Sequence, residues 1–274
     1  MYRHPAVAQR EYENHRTGPL AEGAAYSYAY WPLQLLSTSK EEAALRRSLQ
    51  HLDRLTELSA LTRLQFSFNR KMLLQPDEAS STVTMVQRGR YFTHDDERLG
   101  NYISVIAMLS HPFSRGSSHI TGPTVAQQPR IDPNYLSHPL DTEVLAWHTV
   151  QIDRLLSHST LSKHLKPQGR KLPAEIASAD YSAEYLAYAI REYGRTNYHP
   201  CGTCAMASAD LGGVVDGSLR VRGTRNLRVC DASVFPIIPR GNILSTVYAV
   251  AERGAELISR DYVDTSFEDH KSDS

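Results

Sequence analysis

The chain has 274 residues, with 30 Lys and Arg against 30 Asp and Glu and 41% hydrophobic residues, a size that holds one large or two small domains around a buried core. Its cations are scattered and its formal charge is zero, so no basic face argues for nucleic acid or an anionic lipid surface as a partner. No apolar run approaches the ~20 residues that span a bilayer, and Met1-Tyr2-Arg3-His4-Pro5 does not open like a signal peptide. A soluble globular chain is therefore expected, its compartment left open, and its 3 Cys indicate no disulfide framework.

Ala6 to Asn14 reads as a short helix closed by Thr17-Gly18-Pro19, since Gly suits the residue after a helix and Pro cannot continue one. Ala24 to Trp31, where Tyr26, Tyr28 and Tyr30 alternate with small residues, has the period of a strand. Lys40 to Leu61 is helical by composition, with Leu45, Leu49, Leu52 and Leu55 along one side. Val83–Val86, Tyr102–Leu109 and Ser118–Ile120 read as strands at hairpin-like intervals, which favours a mostly antiparallel sheet. Asp141 to Ser157 is a helix with Asp141 as candidate cap and Val144, Leu145, Ile152, Leu155 and Leu156 on its apolar side. Lys163 to Ala179 reads as a polar surface connection, and Ser182 to Tyr193 as another helix ending at Gly194. Short strands with Gly turns follow at Val214–Val215, Leu219–Val221 and Leu227–Val229, then a helical segment from Ser245 to Ile258. Asp261 to Ser274, acidic and polar, is expected to be disordered.

The chemistry concentrates in the last quarter. Pro200 pushes His199 out of the helical region, so this imidazole is presented from a loop. Asp231 follows the β-rich Leu227-Arg228-Val229-Cys230, and Asn242 stands beside Gly241 just before the last helical segment. Polar groups on loops beside regular elements are how active sites are usually built. Cys201-Gly202-Thr203-Cys204 has the spacing of a thiol-disulfide or half-zinc site, but the strand-to-helix setting of the first and the second ligand pair of the other are both missing. His111 and His119, beside strand patterns, are most simply structural.

Two blocks carry a family resemblance. His199-Pro200-x-Gly202-Thr203-Cys204-x-Met206, Gly213-Val214-Val215-Asp216, Leu219-Arg220-Val221-x-Gly223, Asn226-Leu227-Arg228-Val229-x-Asp231-Ala232-Ser233-Val234-x-Pro236 and Gly241-Asn242 resemble the C-terminal signature of the glucose–methanol–choline (GMC) flavoprotein oxidoreductases. Upstream, His111-Pro112-x-Ser114-Arg115-Gly116-Ser117 and Pro129-x-Ile131-Asp132-Pro133-Asn134-Tyr135-Leu136 match a second block in the family's order. The resemblance covers Ser104 to Ile258 and places the start of this chain in the middle of a family member.

The resemblance implies an α+β fold: a mostly antiparallel sheet with helices packed on it, the family's substrate-binding domain, plus the C-terminal segment of an incomplete FAD-binding domain. Residues 1–196 would be the substrate-binding region, 197–260 the signature region returning to the FAD domain, and 261–274 a tail. It also implies FAD-dependent oxidation of a small alcohol, with His199 as the base and the hydride passing to flavin N5. An imidazole with a reference pKa of about 6.5 suits that task, and Asn242 would donate a hydrogen bond to the alkoxide-like oxygen. Asp231 and Ala232 would touch the ribityl-pyrophosphate portion, and Ile243 and Leu244 would lie along the isoalloxazine, with the following helix N-terminus aimed at its negative edge. No G-x-G-x-x-G occurs in the sequence, so the nucleotide-binding half is a candidate partner rather than a part of these residues. Two alternatives stay open: a non-catalytic remnant serving as a binding module, and a relative that uses FAD structurally without redox chemistry.

Overall fold

The computed structural model describes residues 5–18, 20–21, 27–33, 39–52, 58–86, 102–167, 169 and 183–269. The surface connection expected at Lys163–Ala179 falls mostly outside them, as do the start of the first strand pattern at Ala24–Tyr26, Leu55, and the last five residues of the tail.

The first helix, α1, runs Pro5–His15. The left-handed residue that closes it is Arg16, at φ 55, ahead of Gly18, which shares that conformation. The Arg16 N–H donates to Tyr12 O at 2.9 Å, and its guanidinium lies 5.1 Å from the centre of the Tyr12 ring, so a cation–π contact helps to hold a conformation that a side chain ordinarily avoids.

Two compact units partition the chain. One comprises Met1–Glu42, Gln75–Leu109 and Pro139–Arg195; the other comprises Ala43–Leu74, Ser110–His138 and Thr196–Ser274. The second unit gathers two segments from earlier in the chain with its C-terminal part.

In the first unit, β1 (Ser27–Pro32), β2 (Ala79–Val86) and β3 (Ser104–Leu109) form an antiparallel sheet in the order β1-β2-β3. Tyr30 pairs with Thr82, and Thr82 in turn with Met108. The antiparallel expectation holds, but the strand expected at Ser118–Ile120 is not part of this sheet. β2 is central, so both its hydrogen-bonding edges are paired and seven of its eight residues are buried. Its Ser80, Ser81, Thr82 and Thr84 are therefore small polar groups within the sheet interior. Helix α4 (Pro139–Ser157) packs on β2 and β3, and α5 (Ser159–Ser162) and α6 (Ala183–Tyr193) pack on α4. Pro139 takes the first helical position, where its missing N–H costs nothing. Asp141 is consequently inside the first turn rather than capping it, and it is buried together with Leu140 and Val144. His148, fully buried on α4, shares a 2.8 Å hydrogen bond between Nε2 and Ser80 Oγ. Burial lowers its pKa from 6.5 to about 4, because a charged imidazole would lose its hydration there.

The helix expected over Lys40–Leu61 is observed from Ser39 to Leu52, and a further helix that the sequence pattern did not suggest follows among the described residues. α2 spans Ser39–Leu52, with Leu45 and Leu49 buried, and α3 spans Ala60–Leu74. Ser59 starts α3 by accepting the Thr62 N–H at 3.1 Å on its hydroxyl, an N-cap that ends any continuous helix through this point. Phe66, Asn69 and Leu73 of α3 are buried, the i, i+3, i+7 face of an amphipathic helix.

The rest of the second unit has little regular structure. β4 (Ser117–His119) pairs antiparallel with β5 (Arg130–Asp132), a strand the sequence pattern did not suggest. The three short strands expected after Met206 are isolated bridges instead: Met206 with Val215, Val215 with Val221, and Arg220 with Arg228. Two single turns of 3-10 helix lie at Ala209–Leu211 and Ala232–Val234. These loops enclose an apolar cluster of Val215, Leu219, Val234, Phe235, Ile243 and Leu257, each contributing about 1.5–3 kcal/mol by burial.

The last helix, α7, runs Leu244–Asp269. Disorder was expected from Asp261, yet as far as Asp269 the chain continues this helix. Arg220 and Arg228 both place a guanidinium nitrogen on Asp261 Oδ2, and the hydrogen bond from Arg220, with the charges of both arginines, holds that carboxyl below the usual range. Two cations on one carboxylate fix the turn that composition alone would have left free. Val247, Val250 and Leu257 of α7 face the cluster. Gly254 sits where Cys230 crosses the helix, since a Cβ there would come within 2.4 Å of Cys230 Sγ. No helix among the described residues is long and apolar enough to cross a membrane.

Candidate active site

The signature segments are joined by their backbones. Gly202, Cys204 and Met206 donate N–H groups to the carbonyls of Ala232, Ser233 and Val234 at 3.3, 2.9 and 2.8 Å. These N–H groups meet successive carbonyls of the short 3-10 turn, so the His199–Met206 stretch is laid along Ala232–Val234. From there the chain reaches Gly241, whose φ of 72 is the left-handed conformation that favours Gly, and this turn delivers Asn242 immediately before α7.

His199 and Asn242 meet. Nε2 of His199 lies 3.0 Å from Oδ1 of Asn242, and Asn197 Nδ2 donates to the same oxygen at 3.3 Å. Asn242 is exposed and His199 partly so, so the pair is open to a small molecule. Tyr198, between Asn197 and His199, has φ 61 and donates its N–H to Thr196 Oγ1 at 3.0 Å. Non-Gly residues seldom adopt that conformation, and it recurs where a site requires it.

The other sequence-derived positions lie apart in role. Asp231 caps the Ala232–Val234 turn by accepting the Ser233 N–H at 2.8 Å, and Ala232 lends its carbonyl to Gly202. Ile243 is buried in the apolar cluster, whereas Leu244 beside it is exposed. Of these two neighbours, only Leu244 leaves its side chain accessible. The helix begins at Leu244, one or two residues earlier than the pattern suggests, with Val247 N–H bonded to Ile243 O at 2.9 Å. The first N–H groups after Asn242 therefore have no partner within the helix.

Sequence reasoning missed the support that α3 gives. Gln65 Nε2 donates to Pro236 O at 2.5 Å, and Gln65 Oε1 accepts from Arg115 Nε at 3.1 Å. Arg115, from the upstream signature block, also donates to the carbonyls of Pro112 and Ser114, and Asn69 Nδ2 donates to Pro112 O at 2.8 Å. Gln65 thus ties the upstream block to the loop after Asp231. The only sequence signal was the amphipathic run of α3, which lies almost wholly beyond Leu61, where the expected helix ended. Cys201 is two residues from His199; burial raises its thiol pKa and the Arg115 charge partly offsets this, the opposite of a thiol tuned for reaction. Cys201, Cys204 and Cys230 are free, and no cluster of three or more metal-ligating side chains occurs among the described residues.

Residues 112–251, just over half of the chain, match the C-terminal family model of the GMC oxidoreductases, and the chain belongs to that family. It is 31% identical over 261 residues to a dehydrogenase of Armillaria gallica, an alignment covering 93% of this chain and 39% of that protein. It is also 37% identical over 150 residues to an alcohol dehydrogenase [acceptor] of Pseudomonas putida, with coverages of 54% and 26%. Among solved structures, a fungal aryl-alcohol oxidase superposes with a TM-score of 0.72 at 25% identity, covering 95% of this chain and 43% of the other. The chain therefore spans less than half the length of the relatives it matches, and its α+β architecture is that of the C-terminal portion of a GMC flavoenzyme.

Proposed function

We propose that this chain supplies the alcohol-handling part of a FAD-dependent oxidoreductase acting on CH–OH groups, with His199 as the base. The observation that carries the reading is the 3.0 Å approach of His199 Nε2 to Asn242 Oδ1 across 43 residues of sequence. An alcohol is a weak acid, and a neutral imidazole removes its hydroxyl proton as the carbon gives up hydride. Asn242 can orient the alcohol oxygen and donate an amide N–H to the charge that develops on it, without itself titrating.

The residues present fit the flavin end of FAD. Exposed Leu244 and the N–H groups of the first α7 turn follow Asn242 directly, a donor edge suited to the electron-rich carbonyl side of the ring. The Asp231-Ala232 turn offers a carboxylate for the ribityl portion. When bound, FAD supplies at N5 the acceptor for the hydride. The absence of G-x-G-x-x-G from the sequence assigns pyrophosphate binding to a nucleotide-binding half outside these residues. The outer side of α7 supports such a partner: Leu244, Tyr248, Ile258 and Tyr262 are all exposed. They fall on one stripe at spacings of 4, 10 and 4 residues, about 100° around the helix from the face that packs on the cluster. An exposed apolar stripe beside a packed face is suited to burial against a further layer.

The test is reconstitution. With a complementing nucleotide-binding half, primary and aryl alcohols should bleach the flavin absorbance, and His199→Ala should slow that reduction by about 10²–10⁴-fold. A His199→Ala protein reduced at a near-normal rate would remove this residue from the mechanism.

A further inference from the structure

Asn242 Oδ1 has two neighbours on one loop, Asn197 Nδ2 at 3.3 Å and His199 Nε2 at 3.0 Å. A carboxamide oxygen only accepts hydrogen bonds, so in this arrangement the imidazole nitrogen facing it must bring the proton. An Asn side chain can present either its oxygen or its NH₂ to an imidazole, which is donor at one nitrogen and acceptor at the other. The amide N–H of Asn197 biases that choice by claiming the oxygen.

We infer that Asn197 is a positioning residue: it holds the Asn242 carbonyl toward the imidazole and thereby fixes the resting proton of His199 on Nε2, leaving the lone pair on Nδ1. The backbone is arranged for this shared contact. Tyr198 at φ 61, tied to Thr196 Oγ1, brings Asn197 and His199 to the same oxygen, and the Gly241 turn sets Asn242 opposite them.

The catalytic meaning rests on the proposed role of His199. A base acting through Nε2 first has to give up the proton that Asn242 holds there, and the Asn242 carboxamide has to turn before its N–H edge can meet an alcohol oxygen. Asn197 then sets how readily the site passes from its resting to its receptive form. The proton position itself is independent of that role, so the two readings fail separately.

The experiment reads ring-nitrogen chemical shifts of His199 in the full 274-residue chain labelled with ¹⁵N-histidine, at a pH where the imidazole is neutral, with assignment by loss of the signal in His199→Gln. The wild-type chain should hold the Nε2–H form over Nδ1–H by about fivefold more than an unconstrained histidine does, the added bias that one ordinary hydrogen bond sustains. Asn197→Ala should bring the ratio back toward that of an unconstrained histidine. Asn197→Asp should invert the two forms, because a carboxylate accepts from the Asn242 amide N–H and turns that edge toward Nε2. A purely structural role would not reverse a tautomer. A wild-type Nδ1–H form, or folded Ala and Asp variants that keep the wild-type ratio, would overturn the inference. If neither variant folds, the wild-type form alone decides.

Discussion

The sheet of the first unit and the signature region of the second solve the same problem in different ways. Along β2, backbone groups are paired by a repeating ladder to β1 and β3, so no single residue is indispensable and the pattern of burial repeats. Between Thr196 and Asn242 the pairing is made of singular contacts, such as Gly202, Cys204 and Met206 to Ala232–Val234 and the Asp216 carboxylate to the N–H groups of Ser218 and Arg220. Order there depends on particular side chains and turns. A ladder tolerates substitution by type, whereas a loop core tolerates it only by identity.

The largest test of that contrast is Leu257→Ala, which opens a void in the apolar cluster and should cost about 2–5 kcal/mol in denaturant unfolding. A loss under 1 kcal/mol would mean that the loops around it collapse to fill the space. For the sheet unit, the corresponding test is pH. Unfolded His148 takes up a proton as pH falls below 6.5, but folded His148 does so only near 4. Stability should therefore fall as pH drops through that window, by on the order of 3 kcal/mol at its lower end. His148→Gln should flatten that part of the pH profile, and an unchanged slope would assign the loss to other groups. Next in size, Gly254→Val should destabilise by about 1–3 kcal/mol through its clash with Cys230. Cys230→Ala should relieve that clash, a coupling visible in a double-mutant cycle. The smallest effect is expected from Asp261→Asn at an exposed site. It should shorten the helical portion of α7, seen as lost amide protection after residue 260, and the difference from wild type should shrink in high salt. The parent carboxylate titrates below the usual range, so its grip is present at neutral pH and released only in acid.

What was legible follows the same division. Helices α1, α4 and α6 and the three strands of the sheet were readable because period and composition act locally. β5, an exposed three-residue strand, carried no such period. α3 was missed almost whole, because its start rests on one hydroxyl, Ser59, inside a run of good helix formers, and the expected helix was carried through that point and ended at Leu61. The extension of α7 past Asp261 depends on arginines 41 and 33 residues away, which no local window contains. His199 and Asn242 were found through the family signature and not through periodicity. Asn197 escaped because its contact depends on the unusual φ of Tyr198, which a Tyr in sequence does not announce.

Helix α7 also has a mechanical consequence. From Leu244 to Asp261 it is about 26 Å long at 1.5 Å per residue, a stiff rod with Asn242 at one end and the double arginine grip at the other. Over that lever arm, a tilt of roughly 2° moves the far tip by about 1 Å, a displacement that can slow a chemical step by about 10²-fold. Whatever pries Asp261 from Arg220 and Arg228 would thus be felt at Asn242 as a change of aim.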